Sequence, residues 1–176
     1  MSFGITPREY LAIVNQEYDE FNHPANKTSI KHAMRCAVFS YHILENIWSF
    51  YKSDSAKVFG HSKFDDFQAE LIAMCPDLGI IRDISDYSKH TILCRKSVEV
   101  SKTVSKMVPD MHEFIMAIAE VPTGGNPCVF DATEALLIYK EGALIVTLKN
   151  GLEHRFNDLL KSVVEFWRTI FDSQGY

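Results

Sequence analysis

PDLGIIRDISDYSKHTILCR, residues 76–95, carries more closely spaced ionisable residues than any other part of the chain. From Asp77 to His90 the residues repeat with a helical period of about 100° per residue, which separates apolar from charged side chains. One face holds Ile80, Ile81, Ile84 and Ser88, and the opposite face holds Arg82, Asp83, Asp86, Lys89 and His90. The stretch therefore predicts an amphipathic helix with one face in a core.

The charged face of this helix has two interpretations. As a site, it would use Arg82 to hold a phosphate or carboxylate with a forked pair of donors, and His90 to transfer a proton near neutral pH. As a solvated face, it would pair Arg82 with Asp86, and Asp86 with Lys89 or His90. Charged helix faces are usually solvated, so we favour the second interpretation.

The bulk composition predicts one soluble globular domain. The 176 residues are enough for one sizeable core, and 12% aromatic residues argue against disorder. A net charge of -5 argues against an extended DNA-binding surface, which needs clustered basic residues. We predict one domain over residues 1–176, with a helical part at about 6–90 and the remaining elements at about 91–172.

The cysteines and the N-terminal residues predict a cytoplasmic protein with free thiols. Cys36, Cys75, Cys94 and Cys128 form no CxxC pair, and the first ten residues lack the basic and apolar regions of a signal peptide. No apolar run approaches the roughly 20 residues that a membrane-spanning helix needs. We therefore expect no contact with a membrane.

Two further helices are predicted at residues 6–21 and 63–75. The first begins with Thr6 as a candidate N-cap, Pro7 at the first helical position and Glu9 in place to complete a capping box. The second follows a polar segment and places Phe64, Phe67, Leu71 and Met74 inward.

The longest predicted helix covers residues 28–52 and is expected to be the central helix of the core. Its apolar residues are spaced by three and four as in a heptad seam, a pattern that also occurs at dimer interfaces. The seam consists of Ile30, Met34, Ala37, Tyr41, Leu44, Trp48 and Tyr51. A second stripe carries Lys31, Arg35, His42, Glu45 and Ser49, in which Arg35 and His42 form a second Arg and His pair two turns apart.

Beyond residue 91 the pattern changes to strands and a last helix. Asn150-Gly151 between β-branched runs is a strong hairpin signal, because both residues tolerate positive φ. The strands are predicted at 97–104, 113–121, 135–140, 143–149 and 152–156, with a loop at PTGGNPC, residues 122–128. A helix is predicted at 158–171, capped by Asn157 or Asp158, and a frayed tail at 172–176. The fold class is α+β, with a four-helix bundle, an antiparallel β-meander and a C-terminal helix.

The common catalytic motifs are absent from the sequence. There is no Gly-rich phosphate loop, no GxSxG elbow and no HExxH pair. Asp83, Asp86 and His90 could meet a metal on one helix face, but the signal is weak and we predict neither a metal nor a cofactor.

Arg and His on a helical bundle resemble the HEPN superfamily, many members of which are metal-independent ribonucleases. In that family an Arg, followed after four to six residues by a His, lines a cleft between two protomers and acts on RNA. Arg35-CAVFSY-His42 has six intervening residues, whereas Arg82 and His90 have seven. The resemblance covers at most the first 95 residues and implies that either Arg would hold phosphate and either His would transfer a proton, with Asp86 a further candidate. RDISDYSKH also resembles an RD-x-x-N/D-x-x-KH helix of helix-rich bacterial and phage proteins.

Three functions are consistent with these patterns. The first is a non-catalytic binding or interaction module, expected to be a homodimer because of the α-helical seam and the apolar last helix, with an unknown protein partner. The second is a HEPN-like endoribonuclease that binds RNA. The third is a small-molecule or nucleotide pocket between bundle and sheet, with Lys89 and Arg95 among its walls. Arg and His facing one cleft would favour the enzyme, and pairing with carboxylates on an open surface would favour the module.

Overall fold

The computed structural model describes residues 4–94, 135–140, 143–148 and 151–176, and it describes side chains in these ranges except at 87–94 and 135–140. In this part of the chain, five α-helices and one antiparallel sheet confirm the α+β class. The helices are α1 (Pro7–Asn22), α2 (Ile30–Tyr51), α3 (Phe64–Met74), α4 (Pro76–Cys94) and α5 (Phe156–Gln174), with a short 3₁₀ helix at Ser55–Val58. The strands are β1 (Ala135–Lys140), β2 (Ala143–Leu148) and β3 (Glu153–Arg155). None of these helices combines the length and the apolar character that crossing a membrane requires.

Helix α1 begins as its sequence predicts. The Glu9 amide donates to Thr6 Oγ1 at 3.3 Å, and the Thr6 amide donates to Glu9 Oε2 at 2.7 Å. The two bonds satisfy amide groups that lack partners at a helix start, and Pro7 occupies the first position, where no amide is needed. The capping box is confirmed.

Helix α2 is the central helix that the seam predicts. It packs against α1 and α4, and also contacts α5. Of the seam residues, Met34, Ala37, Tyr41 and Leu44 are buried and Ile30, Trp48 and Tyr51 are partly buried. The seam is therefore covered by the chain itself, because a helix buried on several sides needs an apolar surface on each of them.

Helix α5 forms the other half of the core. It contacts α1, α2, α4, β2 and β3, and its fully buried Trp167 donates its indole N–H to the Ser40 carbonyl at 2.7 Å. The predicted start at residue 158 is wrong, since the helix begins at Phe156 with Arg155 as its N-cap and no side-chain cap. The buried Phe156 ring meets Phe21 edge to face at 5.4 Å, and this tertiary burial outweighs the capping preference of Asn157 and Asp158.

The arrangement of the predicted four helices as a bundle is not confirmed. Helices α1 to α4 all form, but α2 lies between α1 and α4, α3 packs on α4, and α5 covers three of them. Met74, predicted to point inward, is largely exposed because α3 ends there. Cys36 and Cys75 are free and buried, in agreement with the predicted thiols.

The sheet is a meander in the order β1, β2, β3 with antiparallel pairing throughout. Gly151, in the predicted hairpin turn, has φ +83°, a conformation in which glycine is favoured because it has no Cβ. Leu144 and Val146 of β2 point into the core beside α5. The strands predicted at 97–104 and 113–121, and the loop at 122–128, lie outside the described residues.

The last residues of the chain are docked, so the predicted frayed tail is wrong. Helix α5 continues to Gln174, and Tyr176 is only 6% exposed. Its aromatic ring packs against Tyr51 and Phe171, which a polar composition at residues 172–175 does not reveal.

Candidate functional site

Arg82 is held on α4 by the neighbouring carboxylate. Its Nε and Nη2 both donate to Asp83 Oδ1, at 3.0 and 2.9 Å. Burial disfavours the cation, but the hydrogen bonds and the charge of Asp83 outweigh this, so the pKa of Arg82 is raised. Asp86, the predicted partner of Arg82, attracts it through its charge, but the two hydrogen bonds of the guanidinium go to Asp83.

Tyr41 joins three helices beside Arg82. Its buried ring lies on α2, and its hydroxyl accepts a hydrogen bond from the Gln68 amide of α3. Burial and then the charge of Asp86 raise the pKa of Tyr41 to about 12, although Arg82 opposes the shift. We call Tyr41, Gln68, Arg82 and Asp86 the Tyr41 cluster.

His42 is the neighbour of Tyr41 and is held by a carboxylate of its own helix. Its Nδ1 lies 2.8 Å from Glu45 Oε2, and its ring centroid lies 5.6 Å from that of Tyr41. Burial and then the charge of Glu45 raise the pKa of Tyr10 to about 12, and the same charge acts on Tyr41. Glu45 thus fixes the orientation of His42 and adds negative charge beside the Tyr41 cluster.

Arg35 faces α1. Its Nη2 lies 2.6 Å from Glu17 Oε1, and the Glu17 side chain is only 9% exposed, against 38% for Arg35. A carboxylate this buried needs a charged partner, because unpaired it would lose its hydration without compensation. The pair therefore fastens α1 to α2.

The two predicted Arg and His pairs are described to different extents. Arg35 and His42 share one stripe of α2, but each binds a different carboxylate and no hydrogen bond or ion pair joins them among the described residues. Of the pair on α4, the side chain of Arg82 is described and that of His90 is not. A shared Arg and His cleft stays a prediction for Arg82 and His90.

Two residues of this region, Glu17 and Gln68, are not among the predicted site residues. Glu17 falls on the apolar stripe of α1, and an acid in such a stripe is a signal for a buried ion pair. Gln68 gives no comparable signal, because it lies on α3 among other polar residues and only the packing of α3 beside α2 brings it to Tyr41.

A groove of about 440 Å³ lies where the helical part meets the sheet, the place that the third functional hypothesis names. It is open, and it lies beside the first turns of α4 and α5 and strand β3. Its walls are Asp77, Glu153, His154, Arg155, Asp158 and Leu159. The prediction that Lys89 and Arg95 are among the walls stays untested, since the Lys89 side chain and Arg95 lie outside the described residues.

Metal ligands do not gather in the described part of the chain, where no three His, Cys, Asp or Glu side chains are placed to hold an ion. The proposed set of Asp83, Asp86 and His90 is untested because it includes a side chain that is not described. The thiol of Cys36 is a poor ligand and nucleophile, since burial raises its pKa to about 12.

The half-buried side chains of the Tyr41 cluster and its neighbours Arg35 and His42 therefore offer charge pairing and hydrogen bonding. Comparison with protein-family models, curated proteins and solved structures gave no match. The function is consequently argued from the geometry of the chain alone.

Proposed function

We propose that this protein is a non-catalytic binding module. One observation carries the proposal: the arginines of both predicted pairs, Arg82 and Arg35, are each bound to a carboxylate of the same chain. These are the two groups that would hold phosphate in a ribonuclease mechanism.

The pairing matters because a metal-independent ribonuclease needs an Arg free to meet the phosphate charge. A phosphate that took the Nε and Nη2 edge of Arg82 would replace two charge-assisted hydrogen bonds to Asp83, and a phosphate on any edge would meet the opposing charges of Asp83 and Asp86. A phosphate that took the Nη2 group of Arg35 would leave Glu17 buried and unpaired. Both arginines are better suited to holding the fold than to holding a substrate.

The homodimer is the second part of the proposal, and it needs a surface other than the two that suggested it, because most of the α2 seam and of the apolar face of α5 is covered within the chain. Ile5 and Phe50 support one alternative. Both are exposed, and Asn46, one turn before Phe50, donates to the Ile5 carbonyl at 3.1 Å, so the two apolar side chains lie at one end of α2.

The dimer is tested by light scattering after size exclusion. We expect wild-type protein at twice the chain mass of 20.1 kDa and Phe50→Asp at the chain mass. Leu152→Asp is the matched control, because Leu152 is equally apolar and more exposed but lies on the turn before β3. A wild-type monomer would remove the dimer from the proposal and leave the binding module in place.

The alternative function is a metal-independent ribonuclease, and one observation favours it. The hydrogen bond from His42 Nδ1 to Glu45 orients the imidazole, as a carboxylate does for a histidine that transfers protons. The discriminating assay is cleavage of single-stranded and transfer RNA in EDTA. We expect no cleavage by the wild-type protein.

Two sets of variants show which Arg and His pair any cleavage depends on. Arg82→Ala/His90→Ala tests the α4 pair. The α2 pair is tested by adding His42→Ala to a Glu17→Gln/Arg35→Met background, which removes the buried charge together with its partner. Cleavage that disappears in either variant while the variant stays folded, and persists in Glu17→Gln, which keeps both Arg35 and His42, would establish the enzyme and refute the non-catalytic module.

A further inference from the structure

The chain reverses direction after α5. Gly175 has φ +63°, and the amides of Gly175 and Tyr176 both return to the Phe171 carbonyl. This left-handed ending is common where glycine follows a helix. It turns Tyr176 back against the body of the protein.

Tyr176 fills an aromatic site between α2 and α5. Its ring stacks on Tyr51 with centroids 5.2 Å apart and meets Phe171 edge to face at 5.1 Å. Its hydroxyl donates to the Lys57 carbonyl of the 3₁₀ helix, and its own carbonyl accepts from Arg8 Nε at 2.7 Å. Residues from three separate elements thus hold this one side chain.

Lys57 returns the contact through its ammonium group. Its Nζ donates to the carbonyls of Gln174 and Gly175, and it lies 5.8 and 5.7 Å from the ring centroids of Tyr51 and Tyr176. Carbonyl oxygens and the faces of aromatic rings both present negative potential. All four contacts therefore depend on a positive charge at one atom.

We propose that residues 174–176 form a strap that the positive charge of Lys57 holds closed. Loss of the charge leaves two carbonyls and two ring faces without their shared partner. Among the described residues, the two backbone bonds to Phe171 and the contacts of Tyr176 then oppose release. Opening exposes the apolar faces of Tyr51 and Phe171. Acetylation of this one amine by an acyl thioester forms an amide bond to Nζ as the thioester bond breaks, releases the thiol and a proton, and so would remove the charge and open the strap. The strap is independent of the function proposed above.

Amide hydrogen exchange measured by NMR on the whole chain tests the strap at Gly175 and Tyr176. In Lys57→Met we expect exchange at these two amides to accelerate roughly tenfold, the effect of losing charge-assisted hydrogen bonds, while amides around Trp167 keep their rates. Lys57→Arg keeps the positive charge. We expect exchange at the two amides in this variant to stay within about twofold of the wild-type rates, because a change of this size corresponds to the loss of one surface contact.

A third variant shows whether the strap opens as one unit. Tyr176→Ala should accelerate exchange at Gly175, and Lys57→Met/Tyr176→Ala should add little to either single change, because the contacts are shared. Unchanged exchange in Lys57→Met, additive effects in the double variant, or a general loss of protection that includes Trp167 would each overturn the proposal. The last result would mean that Lys57 supports the whole fold.

Discussion

The ion pair between Arg35 and Glu17 offers the sharpest test of how this fold uses its charges. Replacing Arg35 by Met keeps an apolar side chain of similar stem length but removes the guanidinium 2.6 Å from Glu17. The Glu17 carboxylate then stays in a position that is only 9% exposed. We expect the free energy of unfolding to fall.

The size of the loss follows from the burial of the two partners. Removing one partner of a fully buried pair costs about 3–5 kcal/mol. Arg35 is 38% exposed, so water screens part of the interaction. We discount the loss to about 2 kcal/mol for this half-exposed pair. Urea denaturation followed by the fluorescence of Trp48 and Trp167, which both pack in the core, measures it.

Two comparisons separate the buried charge from a general effect of substitution. Glu17→Gln/Arg35→Met removes the stranded charge and should recover more than half of the loss. Lys161→Met is the matched control, because its ion pair with Glu165 spans 3.9 Å between side chains that are 62% and 59% exposed. It should cost less than about 0.5 kcal/mol. An Arg35→Met protein as stable as wild type, or a double variant no better than the single one, would refute the reasoning.

Three further predictions concern Tyr41, Cys36 and Thr6. Because the pKa of Tyr41 is raised to about 12 from 10.0, the unfolded chain loses this proton first. The contribution of the protonated Tyr41 hydroxyl to stability is complete below pH 10 and disappears as the pH rises through about 12. Urea midpoints should fall over this range, and Tyr41→Phe should make the fall less steep. Cys36, with a pKa raised to about 12 by burial, should react with iodoacetamide at pH 8 only after unfolding, as mass spectrometry of the labelled peptide would show. Thr6→Ala should lower the free energy of unfolding by about 1 kcal/mol in a urea titration, through loss of the capping box.

Controls and contrary results are distinct for each of the three. A Tyr41→Phe protein with the wild-type slope would contradict the assigned shift. Rapid labelling of Cys36 in folded protein would mean that its site opens readily. Thr6→Ser keeps the hydroxyl that accepts from Glu9, so equal losses in the Ala and Ser variants would show that the cap is not the cause.

The sequence by itself determined the elements that depend on neighbours along the chain. Thr6, Pro7 and Glu9 are close enough to form the capping box without any other part of the protein. The seam of α2 predicted the central helix, and Asn150-Gly151 predicted the turn that joins β2 to β3. These predictions succeed because helix caps, helical periodicity and hairpin turns are interactions of short range.

Only the tertiary structure decided which partners the charged and aromatic side chains meet. Glu17 meets Arg35, and Gln68 meets Tyr41, across helices whose packing no local pattern specifies. Phe156 starts α5 two residues early, and Tyr176 docks a tail that composition predicts to be frayed. In each case, burial of an aromatic ring or pairing of a buried charge outweighs the smaller preference that local sequence expresses.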